Sequence, residues 1–247
     1  SLTPAALSAD TRRPTAETEI LDKAAAERKA DRNDQALETL QAGKRTIPGS
    51  FDIISALGDL YFDKELYTLA LKEYGEAEKI NGTRTDLLGK LALTYGHLGQ
   101  EKRSTEYYET IHDLKPDDRE AVNDLAWMYF KTHQLDKGEA LILEAEKRFG
   151  MNRRFAMTLG TIYADLYDYE KARKYYLVSI AEALRERENR FAAVAYYNLS
   201  LLEKSFYRYE ESLETTDRSI SMEDRAPGHL AKGDLYESRM DFKTAAA

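Results

Sequence analysis

The 247-residue sequence contains no cysteine, which excludes disulfide bonds, thiolate nucleophiles and metal sites built on cysteine. Proline and glycine are scarce as well, with 5 and 13 residues, so the chain has room for long helices. It also lacks an apolar run of the roughly 18–20 residues that a membrane span needs. We therefore expect a soluble protein that does not insert into membranes, although the sequence does not distinguish a cytoplasmic from a bacterial periplasmic location.

An excess of positive charge is missing too. The chain carries 36 Lys and Arg against 44 Asp and Glu, for a formal net charge of −8. Binding to nucleic acid relies on lysine and arginine side chains that neutralise the phosphate backbone. Two short basic runs occur, at Lys44-Arg45 and Arg185–Arg190, but acids interrupt the second. We therefore predict no nucleic-acid partner.

The chain does contain an internal repeat. Several columns of similar residues recur at a spacing of 34 positions, and a spacing shared by several columns indicates a repeat. The columns are an apolar one (Leu57, Leu91, Leu125, Leu159), an aromatic one (Tyr61, Tyr95, Tyr129, Tyr163), two of small residues (Gly58, Ala92, Ala126, Gly160; Ala36, Ala70, Ser104, Gly138, Ala172) and one of helix breakers (Pro48, Gly82, Pro116, Gly150).

Within each unit the spacing predicts two antiparallel helices. The segment Thr158–Tyr176 shows this best, because its apolar residues fall on one helical face before a short polar turn and on a second such face after it. Its five tyrosines then divide into two groups. Tyr163, Tyr169 and Tyr176 are expected in the core, and Tyr167 and Tyr175 outside that face. A base-stacking platform is disfavoured because acidic residues lie among these rings.

The segments "ALGDLY", "LALTY", "DLAWMYF" and "TLGTIY", each followed by a second helical pattern, resemble the tetratricopeptide repeat family. The resemblance implies an all-α fold, a right-handed superhelical α-solenoid of antiparallel helix pairs. The predicted units are 17–50, 51–84, 85–118, 119–152, 153–192, 193–225 and a partial unit at 226–247, preceded by a flexible tail at 1–16.

Two irregularities interrupt this pattern. Leu199 lies 40 residues after Leu159, so the unit at 153–192 carries an insertion that we expect to lengthen its second helix. The partial unit is expected to stop inside its second helix, as in a fragment of a longer array. At one unit boundary, Pro116 ends a helix and Asp117-x-x-Glu120 resembles a capping box for the next.

No residue pattern points to catalysis. The 4 histidines have neither a partner at helical spacing nor a His-Glu-x-x-His motif, and no nucleophile elbow or phosphate loop occurs. The adjacent acids Asp117 and Asp118 are explained by helix capping. We therefore predict no enzyme activity, no cofactor and no metal site.

The resemblance implies that the first helix of each unit lines a groove that binds a protein or peptide. Transferred by register, the groove residues are Leu93, His97, Asn123, Trp127, Phe130, Lys131, Met157, Thr161, Tyr197 and Leu201, with Asp59, Phe62 and Asp63 on the N-terminal side. The family's basic clamp for a C-terminal carboxylate is disfavoured, because only Asn123, Lys131 and Arg154 are available and they do not recur at the required spacing.

Two functions remain open from the sequence. The first is a non-enzymatic adaptor that holds a peptide or an amphipathic helix in the groove, with Trp127, Phe130, Met157 and Tyr197 as anchors. The second is a structural subunit of a larger assembly that contacts its neighbours through the solenoid ends and the convex face. A scaffold for a catalytic domain outside this sequence is a third possibility.

Overall fold

The computed structural model describes residues 15–223 and 226–245, and within these ranges all regular structure is α-helical. The prediction of an all-α helical repeat is confirmed. Most of the expected tail at 1–16 lies outside the described residues. The helices are α1 (Ala16–Lys29), α2 (Asn33–Thr46), α3 (Phe51–Asp63), α4 (Tyr67–Ile80), α5 (Thr85–His97), α6 (Glu101–Leu114), α7 (Arg119–Lys131), α8 (Leu135–Phe149), α9 (Arg153–Asp165), α10 (Tyr169–Arg185), α11 (Asn189–Ser205), α12 (Tyr209–Met222) and α13 (Ala226–Ala245).

The helices form two compact units, one that ends at Leu114 and one that begins at Lys115. The first contains three helix pairs, α1 to α6. The second contains α7 to α13, in which the first helices of successive pairs, α7, α9 and α11, are neighbours.

Small residues allow the two helices of a pair to approach closely. Positions 36, 70, 104, 138 and 172 are all fully buried, as the sequence predicts. At Gly58 an added Cβ would lie 2.5 Å from the ring of Tyr74, and at Gly160 it would lie 2.6 Å from the ring of Tyr176. The two glycines are three repeats apart. A tyrosine on the second helix therefore fills the space that each glycine leaves on the first.

The turn inside each pair has a fixed geometry. A residue with positive φ recurs at the same position of every pair: Asp31, Glu65, Gly99, His133, Tyr167 and Tyr207. In each turn the amide of the following residue reaches the carbonyl five residues back, as from Leu66 N to Tyr61 O at 2.9 Å. This Schellman arrangement ends the first helix and reverses the chain.

Three boundaries differ from the sequence predictions. The N-cap of α7 is Asp118, whose side chain accepts from the amides of Glu120 and Ala121, and not Asp117. The insertion lengthens two helices, because α10 and α11 both have 17 residues, and α11 begins at Asn189. The expected turn near the C-terminus is absent from the described residues, where α13 runs without a break for 20 residues.

The core of the second unit includes Tyr163 and Tyr176, which are buried as expected, and Tyr169 packs against it. Tyr167 is exposed, again as expected. The prediction for Tyr175 is wrong. Its ring stacks on that of Tyr163 at a centroid distance of 5.5 Å, because residues 12 apart face each other across the helix pair.

Candidate functional site

The exposed aromatic residues of the second unit begin on α7. Trp127, the only tryptophan of the chain, is 40% exposed, and its ring lies 5.1 Å from that of Phe130. The two residues are one helical turn apart, so their side chains share one face of α7. A large aromatic ring that remains partly exposed beside a second ring can anchor an apolar side chain of a partner.

A shallow cavity of about 360 Å³ connects α7 with α9 and α11. Trp127, Thr161, Asn198 and Leu201 line it, and Leu201 is itself 42% exposed. The arrangement follows from the neighbouring positions of the three first helices. The structure thus brings Trp127 and Leu201, two of the residues expected in a groove, to the same cavity.

A second cavity continues along the surface from Leu201. Tyr197, Leu201, Lys204, Leu230 and Asp234 are among the residues that line its volume of about 210 Å³. Tyr197 also lines a third cavity of about 200 Å³, together with residues that include Val194, Pro227 and Gly228. Tyr197 of α11 and Pro227 of α13 therefore line both of these small cavities. We call the surface from Trp127 to Leu230 the first-helix groove.

The contribution of α13 to this groove was missed by the sequence reasoning. Leu230 is 70% exposed and projects from the one helix that has no full repeat motif. The register of the groove positions is counted from the motif Leu, and α13 carries Lys232 at that position. The apolar residues at Pro227 and Leu230, just before that position, were the available signal.

Three expected groove residues are engaged inside the protein. Asn123 is buried, and its side-chain oxygen accepts from the Thr158 hydroxyl at 3.2 Å. Met157 is half-buried, and its sulfur accepts from the Asn198 amide at 3.3 Å. Thr161 accepts from the Tyr176 hydroxyl at 3.3 Å. These side chains support the floor of the groove.

The cations near the groove include one that is already paired. A guanidinium nitrogen of Arg154 lies 2.7 Å from a carboxylate oxygen of Asp124, and Glu120 is 3.8 Å from the same group. Burial raises the pKa of the Asp124 carboxyl, and Arg154 opposes that shift. Lys131 is exposed at the end of α7. With Asn123 bonded to Thr158 and Arg154 bonded to Asp124, this part of the chain lacks the free polar set of a carboxylate clamp.

The expected residues in the first unit lie on a more polar surface. Leu93 is 51% exposed and lines a cavity of about 260 Å³ with residues that include Phe62, Asp59 and Asp63. The ring of His97 stacks on Tyr67 at 4.6 Å and meets Phe62 edge-on at 5.2 Å. His97 is therefore a member of an aromatic cluster and is itself exposed.

Two charged pairs line this cavity of the first unit. Asp59 accepts from the Tyr74 hydroxyl and from the Lys90 ammonium, both at 2.8 Å. Asp63 pairs with Arg28. Burial and the Asp59 carboxylate together raise the pKa of Tyr74, so its hydroxyl stays protonated and keeps donating. These charged pairs make the cavity of the first unit more polar than the first-helix groove. The cavity is therefore less suited to an apolar ligand.

Among the described residues no cluster of three or more His, Cys, Asp or Glu side chains is suited to hold a metal ion. In the same part of the chain no helix has the length and apolar character to cross a membrane.

The fold and the groove define a class of protein: an all-α helical repeat built from antiparallel pairs whose first helices form a partly apolar surface. Residues 85–118 match the sequence profile of the tetratricopeptide repeat family. The chain therefore contains a tetratricopeptide repeat at residues 85–118.

Known proteins are similar to this chain over different lengths. The chain is 33% identical over 89 residues to human Superkiller complex protein 3, which covers 36% of this chain and 6% of that protein. Among solved structures, a tetratricopeptide repeat protein from Parabacteroides merdae has a TM-score of 0.62 at 15% identity, over 91% of this chain and 98% of its own. The assembly chaperone of RpL4, Acl4, has a TM-score of 0.65 at 15% identity, over 94% and 100%. At these identities the structures show a shared fold.

Proposed function

We propose that this protein is a non-enzymatic adaptor that binds an apolar peptide or an amphipathic helix of a partner in the first-helix groove. The match of residues 85–118 to the tetratricopeptide repeat, a repeat of interaction scaffolds, supports a role in binding proteins. The observation that carries the finer proposal is the series of cavities that begins at Trp127, passes Leu201 and ends at the two cavities that Tyr197 lines.

Size and chemistry support a peptide as the ligand. Each cavity of about 200–360 Å³ has room for a few side chains and is too shallow to enclose a cofactor. The apolar groups are Trp127, Leu201 and Leu230, while Lys204 and Asp234 supply one charge of each sign. An amphipathic segment with two or three large apolar side chains fits this distribution.

A selection with displayed peptides tests the proposal. Peptides that bind the wild type are measured again on Trp127→Ala and Tyr197→Ala, with Leu177→Ala as the matched control, because Leu177 is also partly exposed but lies on α10. We expect each groove variant to lose roughly 10-fold or more in affinity, the effect of truncating a central anchor. Circular dichroism must show equal helicity for the three variants. Equal affinities in all three would contradict the proposal.

A structural subunit of a larger assembly is the second candidate. It is favoured by the likeness of this chain to a protein whose name places it in a complex, Superkiller complex protein 3. In that case the groove variants would leave the assembly intact, and replacement of exposed residues outside the groove would disrupt it.

A further inference from the structure

The second unit exposes large aromatic side chains at two of its turns. Tyr167 is 81% exposed and Tyr207 is 69% exposed, and each has a positive φ, of 57° and 61°. A residue with a side chain is strained in this left-handed conformation, and an exposed ring gains little from burial. The equivalent turns of the first unit carry Asp31, Glu65 and Gly99, so the fold itself does not require an aromatic residue there.

The two turns are neighbours. The ring of Tyr169, two residues after Tyr167, lies 5.1 Å from the ring of Phe206 and has the guanidinium of Arg208 over it at 5.0 Å. Phe206 and Arg208 are the residues on either side of Tyr207, whose ring meets that of Tyr209 edge-on at 6.3 Å. We call the surface made by Leu166, Tyr167, Tyr169, Phe206, Tyr207 and Tyr209 the aromatic turn edge.

Tyrosine rings in this unit repeatedly hold a cation. Lys171 lies 4.7 Å from the ring centre of Tyr163, Lys174 lies 5.1 Å from that of Tyr175, and Lys137 lies 5.2 Å from that of Tyr129. A ring face attracts lysine and arginine because its π electrons carry partial negative charge. Tyr167 presents the same kind of face to solvent.

The charges around Tyr167 have the sign that attracts a cation. Asp165 and Glu170 are exposed, and Arg208 of the neighbouring turn attracts Glu170. Asp168 caps α10 and pairs with Lys171 at 3.4 Å. Acidic side chains beside exposed rings favour a partner that combines positive charge with a flat or extended contact surface.

We propose that the aromatic turn edge binds an arginine- or lysine-bearing segment of a partner protein, with cations seated on the rings of Tyr167 and Tyr207. This surface lies on the turns, apart from the first-helix groove, and the proposal does not depend on what the groove binds. It accounts for two strained, exposed aromatic residues in adjacent turns by the contacts that they make in the complex.

Glycine substitution tests the rings without weakening the fold. Glycine adopts positive φ freely, so Tyr167→Gly/Tyr207→Gly removes both rings while it relieves backbone strain. Glu65→Gly makes the same change at the equivalent turn of the first unit and is the matched control. Tyr167→Phe/Tyr207→Phe keeps the ring faces and removes only the hydroxyls. All variants should unfold at temperatures equal to or above that of the wild type.

The probe is a fluorescent 12-residue peptide of alternating arginine and glycine, with a glutamate–glycine peptide as its charge-reversed partner. Fluorescence anisotropy should show a roughly 5- to 30-fold loss of affinity for the arginine peptide in the double glycine variant, from about 0.5–1 kcal/mol per ring. The double phenylalanine variant, Glu65→Gly and Trp127→Ala should bind as the wild type does. The glutamate peptide should not bind.

Three results would overturn the proposal. An unchanged affinity in the double glycine variant would show that general charge attraction holds the peptide. A loss in Trp127→Ala would place the peptide in the groove instead. Self-association of the wild type that the double glycine variant abolishes, seen by sedimentation velocity, would assign the edge to a second copy of the chain.

Discussion

The carboxylate of Glu203 accepts a hydrogen bond from the hydroxyl of Thr215 at 2.6 Å, and both residues are buried between α11 and α12. The same pair occurs near the start of the described chain, where Thr39 donates to Glu27 at 2.8 Å. At the equivalent positions of two inner pairs, tyrosines stack instead, Tyr95 on Tyr107 at 5.6 Å and Tyr163 on Tyr175 at 5.5 Å. The same pair of positions, 12 residues apart, therefore holds a hydrogen bond between glutamate and threonine in two helix pairs and a stack of two tyrosines in two others.

Replacement of Glu203 by glutamine should stabilise the protein at neutral pH by about 1 kcal/mol, the scale of one buried polar interaction. Burial raises the pKa of Glu203, so the folded state disfavours its ionised form. A raised carboxyl pKa means that the folded state binds more protons than the unfolded state. The contribution of Glu203 to stability is therefore largest below the pKa that its carboxyl has in the unfolded state. It is lost as the pH rises through the pKa of the same carboxyl in the folded state.

Urea denaturation of the wild type and Glu203→Gln at several pH values measures this effect. The advantage of the glutamine variant should shrink as the pH falls towards the ordinary range of a glutamate. Glu211→Gln serves as the control, because the pKa of that exposed residue is lowered by hydrogen bonds from its own amide and from Arg208. A glutamine variant at position 203 that is less stable than the wild type at pH 7 would show that the ionised carboxylate contributes favourably.

The positive-φ turns predict opposite effects for two substitutions. Gly99→Ala should destabilise the protein by about 1 kcal/mol, since alanine resists the left-handed conformation that glycine adopts freely. Glu65→Gly, at the same position one repeat earlier, should be neutral or stabilising by up to about 1 kcal/mol. Thermal unfolding followed by circular dichroism distinguishes the two. The same sign for both changes would contradict the assigned turn geometry.

The close contact at Gly160 predicts that alanine there is harmful. The added Cβ would lie 2.6 Å from the ring of Tyr176, which is itself fully packed in the core. Overpacking of this kind costs about 1–3 kcal/mol. Gly89→Ala is the matched control, because Gly89 is also within a helix but has no atom within 4 Å of the added Cβ. That control should gain about 0.5–1 kcal/mol from helix propensity. The free energies of unfolding in urea decide between these expectations.

The sequence predicted the helix pairs well because the spacing of 34 residues fixes which side chains face each other. The columns of small residues were expected to be buried between the helices. Every member of the column that includes Ala36 and Ala172 is buried. The positive-φ column at Asp31, Glu65, Gly99, His133 and Tyr167 shares the same spacing, but its residue types differ so much that only the structure reveals it.

The surface residues were harder to predict. Register selected Trp127 and Leu201, which line one cavity, yet it also selected Asn123, which turns inward to accept from Thr158. A polar side chain can occupy a surface register and still be satisfied within the protein, and spacing alone does not reveal which partner it chooses. The stacking of Tyr175 on Tyr163 was missed for a related reason, since it depends on a contact across two helices.

The fluorescence of Trp127 gives the most direct test of the central claim, that the first-helix groove binds an apolar segment. Trp127 is the only tryptophan and is 40% exposed, so its emission reports on that one place. Titration with a selected peptide should shift the emission to shorter wavelength as water leaves the ring, and Tyr197→Ala should weaken the titration while Leu177→Ala should not. A peptide that binds with full affinity and leaves the emission unchanged would contradict the account.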